Sequence, residues 1–397
     1  MQPLAGFNVL DLSHAVSGPT CTHQLRLLGA DVVKVEKPKV GDDMRHYTMH
    51  AGLENMSGPF IAYNSGKRSI TLDLKNPQAR PIIDRLVSKA DVVVENFRPG
   101  VAAQMKLDAP TLMQRNPKLV YCSISGFGQT GPMRDWPAYD HIVQAISGMM
   151  MINGSEGQEP IKVGVPLADC FSGYCAAFAI TSALLQRERS GQGQVIDVAM
   201  LDALLVLMNA AVVTVGLTGK APHRSGNLGF RMSPTSTTYR TQDGYLAVGA
   251  NHPPQIARMA EILGIESLFH DPRFATEPQR LRNRHELSDE LAKILGPQQA
   301  AKLEPALANA MVPAGRVRNL QQTIADDHVK ERDTFVHVDV PGLNEELRAC
   351  GTGFHFAHDG PHKTGHVPAL GEHTDAILAE LGFSRDEIAA FHSAKAV

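Results

Sequence analysis

From its first residues the chain alternates short runs of β-branched residues with longer amphipathic stretches, and no other feature narrows its possible folds as much. FNVLDLS is followed by the loop HAVSGPT, the helical pattern CTHQLRLLGA and the run DVVKVEKP; KRSITLDL, NPQARPIIDRLVSKA and DVVVENF repeat the scheme, and LVYCSISGFG adds a further run. Such alternation predicts a parallel sheet covered by helices. Ligands of open α/β sheets collect at the carboxyl ends of the strands. The loop from His14 to Pro19 and the stretch Asn96 to Gly100 stand at two such ends. The first opens a helix with Gly and Pro and presents backbone amides suited to an anionic or polar ligand. It is not a GxGxxG, so no dinucleotide is implied.

Further along, the Gly/Pro-rich loop GQTGPMRDWPAYD leads into a helix, HIVQAISGMMM. The run VGVP stops at Pro166, and a long apolar helix follows to Glu188 with Asp169 at its mouth. After the strand QVIDVAM, the residues from Leu201 to about Val215 read as a buried helix. The patterning changes beyond Gly219. A hairpin turning at Asp243-Gly244 and three amphipathic segments (Gln255 to Leu263, Gln279 to Leu295, Gln298 to Met311) predict a smaller domain. Strand patterning returns in FVHVDVPG, and the chain ends in two helices. The expected organisation is a large domain over 1–220, a small domain over 225–325, and a return to the large domain over 330–397.

At 397 residues the chain is long enough for this division. Its 38 Lys plus Arg balance 41 Asp plus Glu, a net charge of -3 that gives no reason to expect nucleic acid or an anionic membrane. A small-molecule partner is expected. Five cysteines without CxxC spacing suggest neither a disulfide framework nor a zinc site and fit a reducing, cytoplasmic setting. The apolar run at Ala203 to Val215 is short for a membrane span. Seventeen histidines show no HxH or HExxH grouping, so no metal is expected, and there is no GxSxG elbow.

Asp169 has two readings. It can cap its helix, accepting from the orphan amides of the first turn. Alternatively, amides and the positive helix end hold it ionised as a nucleophile toward an activated acyl group. Tyr139, Asp140 and His141 cluster at another helix start, where Asp140 reads as the cap. Lys37, Lys67, Arg68, Lys75, Arg98 and Lys106 scatter around the first strand ends, and several sit where a phosphate-bearing ligand would lie.

Ten segments occur in one order: VLDLSHAVSGP, LGADVVKVEKPKVGD, NSGKRSITLDLK, ADVVVENFRPG, SISGFGQTGP, PAYDHIVQA, the Asp169 segment, GQGQVIDVAMLDA, VPAGRV and GEHT. On these the chain resembles the class III CoA-transferases, the family of formyl-CoA transferase and carnitine CoA-transferase, which also contains the α-methylacyl-CoA racemases. The resemblance implies an open, Rossmann-like α/β domain with a smaller α+β domain, in an interlocked homodimer. It implies no permanently bound cofactor; a CoA thioester and a small carboxylic acid would be the substrates. Asp169 would be the covalent nucleophile and Tyr139 would line the thioester end. CoA contacts would fall on His14, Ala15, Val16, Ser17, Lys37, Leu72, Asp73, Leu74, Lys75, Asn96, Phe97 and Arg98, with Met200 packed beside the thioester. A glycine-rich substrate loop would match Gly226, Asn227, Gly229, Phe230, Arg231 and Met232.

The departures from the family pattern bear on substrate. Val16 stands where formyl-CoA transferase has a glutamine, Gln104 where an arginine can reach the CoA phosphates, and Ser125 where some members have lysine. Formate and oxalate are therefore disfavoured. Arg231 suggests a dicarboxylate acceptor (itaconate, mesaconate, citramalate or malate) with succinyl-CoA as donor. The rivals are a formyl-CoA/oxalate-type transferase, a racemase, whose histidine would fall at Tyr139 with His141 two residues away on a different helix face, and a non-catalytic CoA-binding protein.

Overall fold

The computed structural model describes residues 1–48, 50, 52–53, 56–229, 231–345, 347–362 and 364–397. The chain divides into two units: residues 1–149, 162–219 and 332–397 form one, and 150–161 with 220–331 form the other. The stretch 150–161, expected in the large domain, belongs with the second unit. Its backbone is tied there by a hydrogen bond from the Gly226 amide to the Gly154 carbonyl (3.0 Å).

The first unit is built on six parallel strands, β1 (Asn8–Asp11), β2 (Asp31–Glu36), β3 (Arg68–Thr71), β4 (Val92–Glu95), β5 (Val120–Ser125) and β6 (Gln194–Ala199), in the order β3-β2-β1-β4-β5-β6. The inner strands are covered on both faces, so β2 and β4 are near-continuous apolar runs rather than alternating ones, whereas the edge strand β6 is largely exposed. Leu10, Val33, Ile70 and Val93 face one layer, which holds Ile82, Leu86 and Val87 of α2 (Arg80–Lys89) and Ile377, Leu378 and Phe391 of the C-terminal helices. Val9, Val32, Val94 and Val120 face the other layer, which holds Leu25 of α1 (Ser17–Leu27) and Ala176, Ile180 and Leu184 of α4 (Leu167–Ser190). By length and composition α4 is apolar enough to cross a membrane, yet this face is packed on the sheet. It ends at Gly191, whose φ of 71° suits a left-handed helix cap.

The chain from 332 onward returns to this unit. The His373 amide bonds to the Ser69 carbonyl at 2.9 Å, and the Asp73 amide to the Ala396 carbonyl at 2.9 Å.

One expected element is different. The stretch from Leu201 to Val215 is not one buried helix: α5 (Met200–Leu207) and α6 (Asn209–Thr218) meet at a 74° bend, and no residue of α6 is buried. An apolar run does not reveal on which side its covering surface lies.

In the second unit the hairpin turns where the Asp243-Gly244 pair predicts, between β7 (Ser236–Thr241) and β8 (Gly244–Gly249), and β9 (Ala314–Arg316) completes an antiparallel sheet. The middle amphipathic segment is two helices that part at Asn283.

Candidate active site

The strand order reverses between β1 and β4, and the loops leaving these two strands are bound to each other. The Asn96 side chain brackets the His14 peptide: its carbonyl accepts from the His14 amide (2.9 Å) and its NH2 donates to the His14 carbonyl (2.7 Å). Beyond it, Ala15 sits at φ 61°, a left-handed conformation unusual for a residue with a Cβ. The Asp42 carboxylate holds it there by accepting from the Ala15 amide at 3.1 Å.

Beneath this loop lies a set of buried ion pairs: Lys34 with Asp42 (2.9 Å), Arg45 with Glu36 (2.7 Å) and Lys67 with Asp11 (3.0 Å). Lys34 also donates to the Ser13 carbonyl at 2.9 Å. Burial pushes the three carboxyls up, but the paired cations pull each of them below the usual carboxylate range. All three pairs therefore stay charged at neutral pH. Their hydrogen bonds offset the desolvation of burying them and fix the loop's backbone from below.

A cavity of about 500 Å³ opens at these strand ends. Its wall includes His14, Phe97 and Met105 on one side and Leu72, Asp73, Leu74 and Lys75 on another, with Lys37 at Gly41 and Asp42. The His14 and Phe97 rings lie 6.0 Å apart, tilted at 37°. Lys37 and Lys75 are exposed at its edge.

Asp169 is the third residue of α4, and it does not cap that helix. Pro166, at the cap position, has no side-chain acceptor, and the task falls to Asp140 of α3 (Asp140–Ile146). Asp140 Oδ2 accepts from the Ala168 amide (2.7 Å) and the Asp169 amide (3.2 Å). Among the described residues none donates a hydrogen bond to the Asp169 carboxylate or forms an ion pair with it. Burial first, and the Asp140 charge second, raise its pKa to about 7. The helix amides are thus spent on a different acid, and Asp169 is a half-buried, unusually basic carboxylate. This overturns the expectation that amides keep Asp169 ionised. The phenols of Tyr47 and Tyr63 sense its charge, and the Tyr63 hydroxyl lies 3.5 Å from Cys170 Sγ.

The profile of CoA-transferase family III matches residues 4–374. The chain belongs to CoA-transferase family III. A succinate–glutarate CoA-transferase of Agrobacterium fabrum is 37% identical over 96% of both chains. A succinyl-CoA–D-citramalate CoA-transferase of Chloroflexus aurantiacus is 35% identical over 100% of this chain and 98% of its own. Among solved structures, a CAIB/BAIF family protein from Brucella suis superposes with a TM-score of 0.88 at 36% identity, covering 96% of this chain and 99% of its own. The protein is accordingly a CoA-transferase, and CoA thioesters are its substrates.

For this family III CoA-transferase the cavity brings together seven of the residues read as CoA contacts: His14, Lys37, Leu72, Asp73, Leu74, Lys75 and Phe97. Ala15 and Val16 are partly buried in the adjoining loop. Ser17 is buried, its Oγ accepting from Asn96 at 3.3 Å, and Asn96 itself is a clamp on loop backbone. Arg98 and Gln104 are exposed and outside the cavity wall, which holds Met105 instead. Met200 is buried among Val143, Met149, Ala168 and Leu204. It belongs to the core supporting the start of α4. Two of the scattered cations are elsewhere: Lys67 is fully buried on Asp11, and Arg68, at the opposite end of its strand, pairs with Asp31 and Glu380.

Tyr139 is 71% exposed at the start of α3 in extended conformation, and its ring stacks on His141 at 6.3 Å and 5°. The two rings share one face, contrary to the helical spacing assumed from sequence. Helical periodicity does not hold at a residue with φ −129° and ψ 164°.

In the second unit, Gly229 is bonded to Ser236 across the loop (2.7 Å) and Met232 to Gly229 (2.8 Å), while Arg231 lies 3.5 Å from Glu277 with both side chains exposed. Gly226 and Asn227 form a turn there. Phe230 lies outside the described residues.

Sequence reasoning missed Asp42, Gln144 and the capping role of Asp140. Asp140 had a visible signal, an acid at a helix start, but its partner amides lie 28 and 29 residues away.

Proposed function

We propose that this chain transfers CoA from succinyl-CoA to a C4 or C5 dicarboxylate, with Asp169 as the covalent nucleophile. The observation that carries the nucleophile is the carboxylate of Asp169: half-buried, without a cation or hydrogen-bond donor among the described residues, and more basic than an ordinary acid. Such a group is poorly stabilised as an anion and reacts with acyl carbon. The substrate class is supported by the acids in the names of the relatives, glutarate and D-citramalate, both dicarboxylates.

In this reading an Asp169 oxygen attacks the donor thioester carbonyl, the C–S bond breaks, and CoA leaves as thiolate from a mixed aspartyl anhydride. The thiolate attacks the aspartyl carbonyl, expels the donor carboxylate and forms an aspartyl-CoA thioester. The acceptor carboxylate attacks that thioester, releasing CoA thiolate and forming a second anhydride. The thiolate then takes the acceptor acyl group and returns Asp169 as carboxylate. Each step exchanges one leaving group for one nucleophile, with no net proton or electron. Residues around the cavity, with Lys37 and Lys75 at its edge, suit the nucleotide end of CoA, whose phosphates they would meet.

A panel of acyl-CoA donors crossed with carboxylic acids, read by mass spectrometry of the CoA products, tests the substrates. Succinyl-CoA with a C4 or C5 dicarboxylate is expected to give the largest kcat/KM. Asp169→Ala is expected to lose at least about 10⁴-fold in kcat while keeping CoA affinity. An active Asp169→Ala variant would remove the nucleophile.

We further propose a homodimer, interlocked as in the family and cytoplasmic. The apolar, unburied surface of α6 supports the association, with Val213 52% and Leu217 83% exposed. The five cysteines are all free, in keeping with a reducing compartment.

A further inference from the structure

Asp140 and Gln144 lie one helical turn apart and together grip the chain on both sides of the nucleophile's helix start. Gln144 is fully buried; its NH2 donates to Asp140 Oδ1 at 2.6 Å, and its carbonyl oxygen accepts from the Val163 amide at 2.8 Å. Asp140 Oδ2 holds the Ala168 and Asp169 amides. All of these partners are neutral, and among the described residues no cation pairs with Asp140. A neutral serine or asparagine would satisfy the same amides, whereas the carboxylate stands beside a second carboxylate that it repels. That arrangement makes sense if the repulsion is used.

We propose that Asp140 is a positioning residue which, besides holding the start of α4, uses its negative charge to set how readily Asp169 accepts CoA. The inference rests on Asp169 being the nucleophile. Charging is the exchange of donor acyl-CoA plus the Asp169 carboxylate for aspartyl-CoA thioester plus donor carboxylate. One C–S bond is broken and one made, one carboxylate is consumed and one released, and no proton or electron remains. The thioester is neutral, so forming it abolishes the repulsion between the two acids. Acyl exchange therefore favours the thioester of the more basic carboxylate, and a neighbouring charge that makes Asp169 more basic draws CoA onto it. Each unit by which Asp140 raises the basicity of Asp169 is tenfold in this equilibrium. Among the described residues, the other titratable groups coupled to the charge of Asp169 are the phenols of Tyr47 and Tyr63 and the Cys170 thiol. Burial raises the pKa of all three, so they stay neutral from pH 5 to about 8 and leave Asp140 as the charge that acts.

The test measures the fraction of enzyme carrying CoA, by intact-protein mass spectrometry, at fixed succinyl-CoA to succinate ratios between pH 5 and about 8. Asp140→Asn and Asp140→Ser keep an acceptor for the helix amides and remove the charge; Asp140→Glu keeps the charge. The charging constant at about pH 8 is expected to fall about tenfold or more in the Asn and Ser variants and to stay within about threefold of wild type in the Glu variant. In wild type the constant should rise with pH and level off near 7. In the Asn and Ser variants the plateau should begin at least about one pH unit lower. Wild-type charging with an unchanged plateau in folded Asn or Ser variants, whatever happens to kcat, overturns the proposal and leaves Asp140 a cap. Absence of any adduct in wild type overturns the nucleophile reading beneath it.

Discussion

At the residue scale the molecule turns on two carboxylates with opposite surroundings. Asp140 is surrounded by donors; Asp169 has none among the described residues and its pKa rises to about 7. An attacking carboxylate must be ionised, so kcat/KM is expected to climb about tenfold per unit below pH 6 and to level above about 7. A flat profile between pH 5 and 8 would contradict this. The same shift has a stability consequence. An acid whose folded pKa exceeds its unfolded one subtracts stability above the unfolded value, and the loss grows until the folded pKa is passed. Asp169→Asn should therefore melt at nearly the wild-type temperature at pH 4 and progressively higher up to about pH 7, as thermal scans over that range would show. Arg231 is a second residue-scale test. The sequence suggests it as the partner of a dicarboxylate's second carboxylate, and on that expectation Arg231→Ala should raise KM about tenfold or more for dicarboxylates and far less for monocarboxylates. Equal effects on both classes would make it a surface partner of Glu277 only.

At the element scale, the start of α4, which carries the proposed nucleophile Asp169, is placed by the packing of α4 on α1. Gly173 lies one turn beyond Asp169, and a Cβ there would stand 2.6 Å from the Ser17 carbonyl oxygen and 2.8 Å from Thr20 Cβ. The absence of a side chain lets the two helices touch where the first loop becomes α1. Gly173→Val has nowhere to put its methyl groups and must separate the helices, a change of the overpacking kind costing about 1–3 kcal/mol. It is expected to lower Tm and to reduce kcat more than it weakens CoA binding, because the cavity at Leu72 to Lys75 is built from other elements. Unchanged kcat with lowered Tm would show that the spacing of these helices does not aim Asp169. Gly173 could not be singled out from sequence, since a glycine in a helix is as compatible with weak packing as with close packing.

At the scale of the whole molecule, the apolar residues of α6 are not buried by the described residues, and the proposed homodimer would cover them. Light scattering should give twice the chain mass, and if the chains are interlocked the value should not fall on dilution unless the protein unfolds. A monomer in reversible, concentration-dependent equilibrium would count against interlocking.

Much of this was legible in the linear chain. The β-branched runs and intervening amphipathic stretches specify a parallel sheet with helices on both sides, because only that arrangement buries both faces of such strands. The positions of the loops after β1 and β4, and of Asp169 at a helix mouth, follow from the same pattern. Tertiary structure decided which acid takes the helix amides, which lysines face the cavity and which lie in the core, and that the apolar stretch after β6 bends, its second helix left unburied by the described residues. These depend on partners far apart in sequence. Periodicity reports which face of an element is apolar, whereas the field at a carboxylate is set by whatever the fold brings beside it. Asp169 stood out in the sequence as an acid at a helix start; its burial, and then the charge of Asp140 brought to it across 29 residues, make it a basic one.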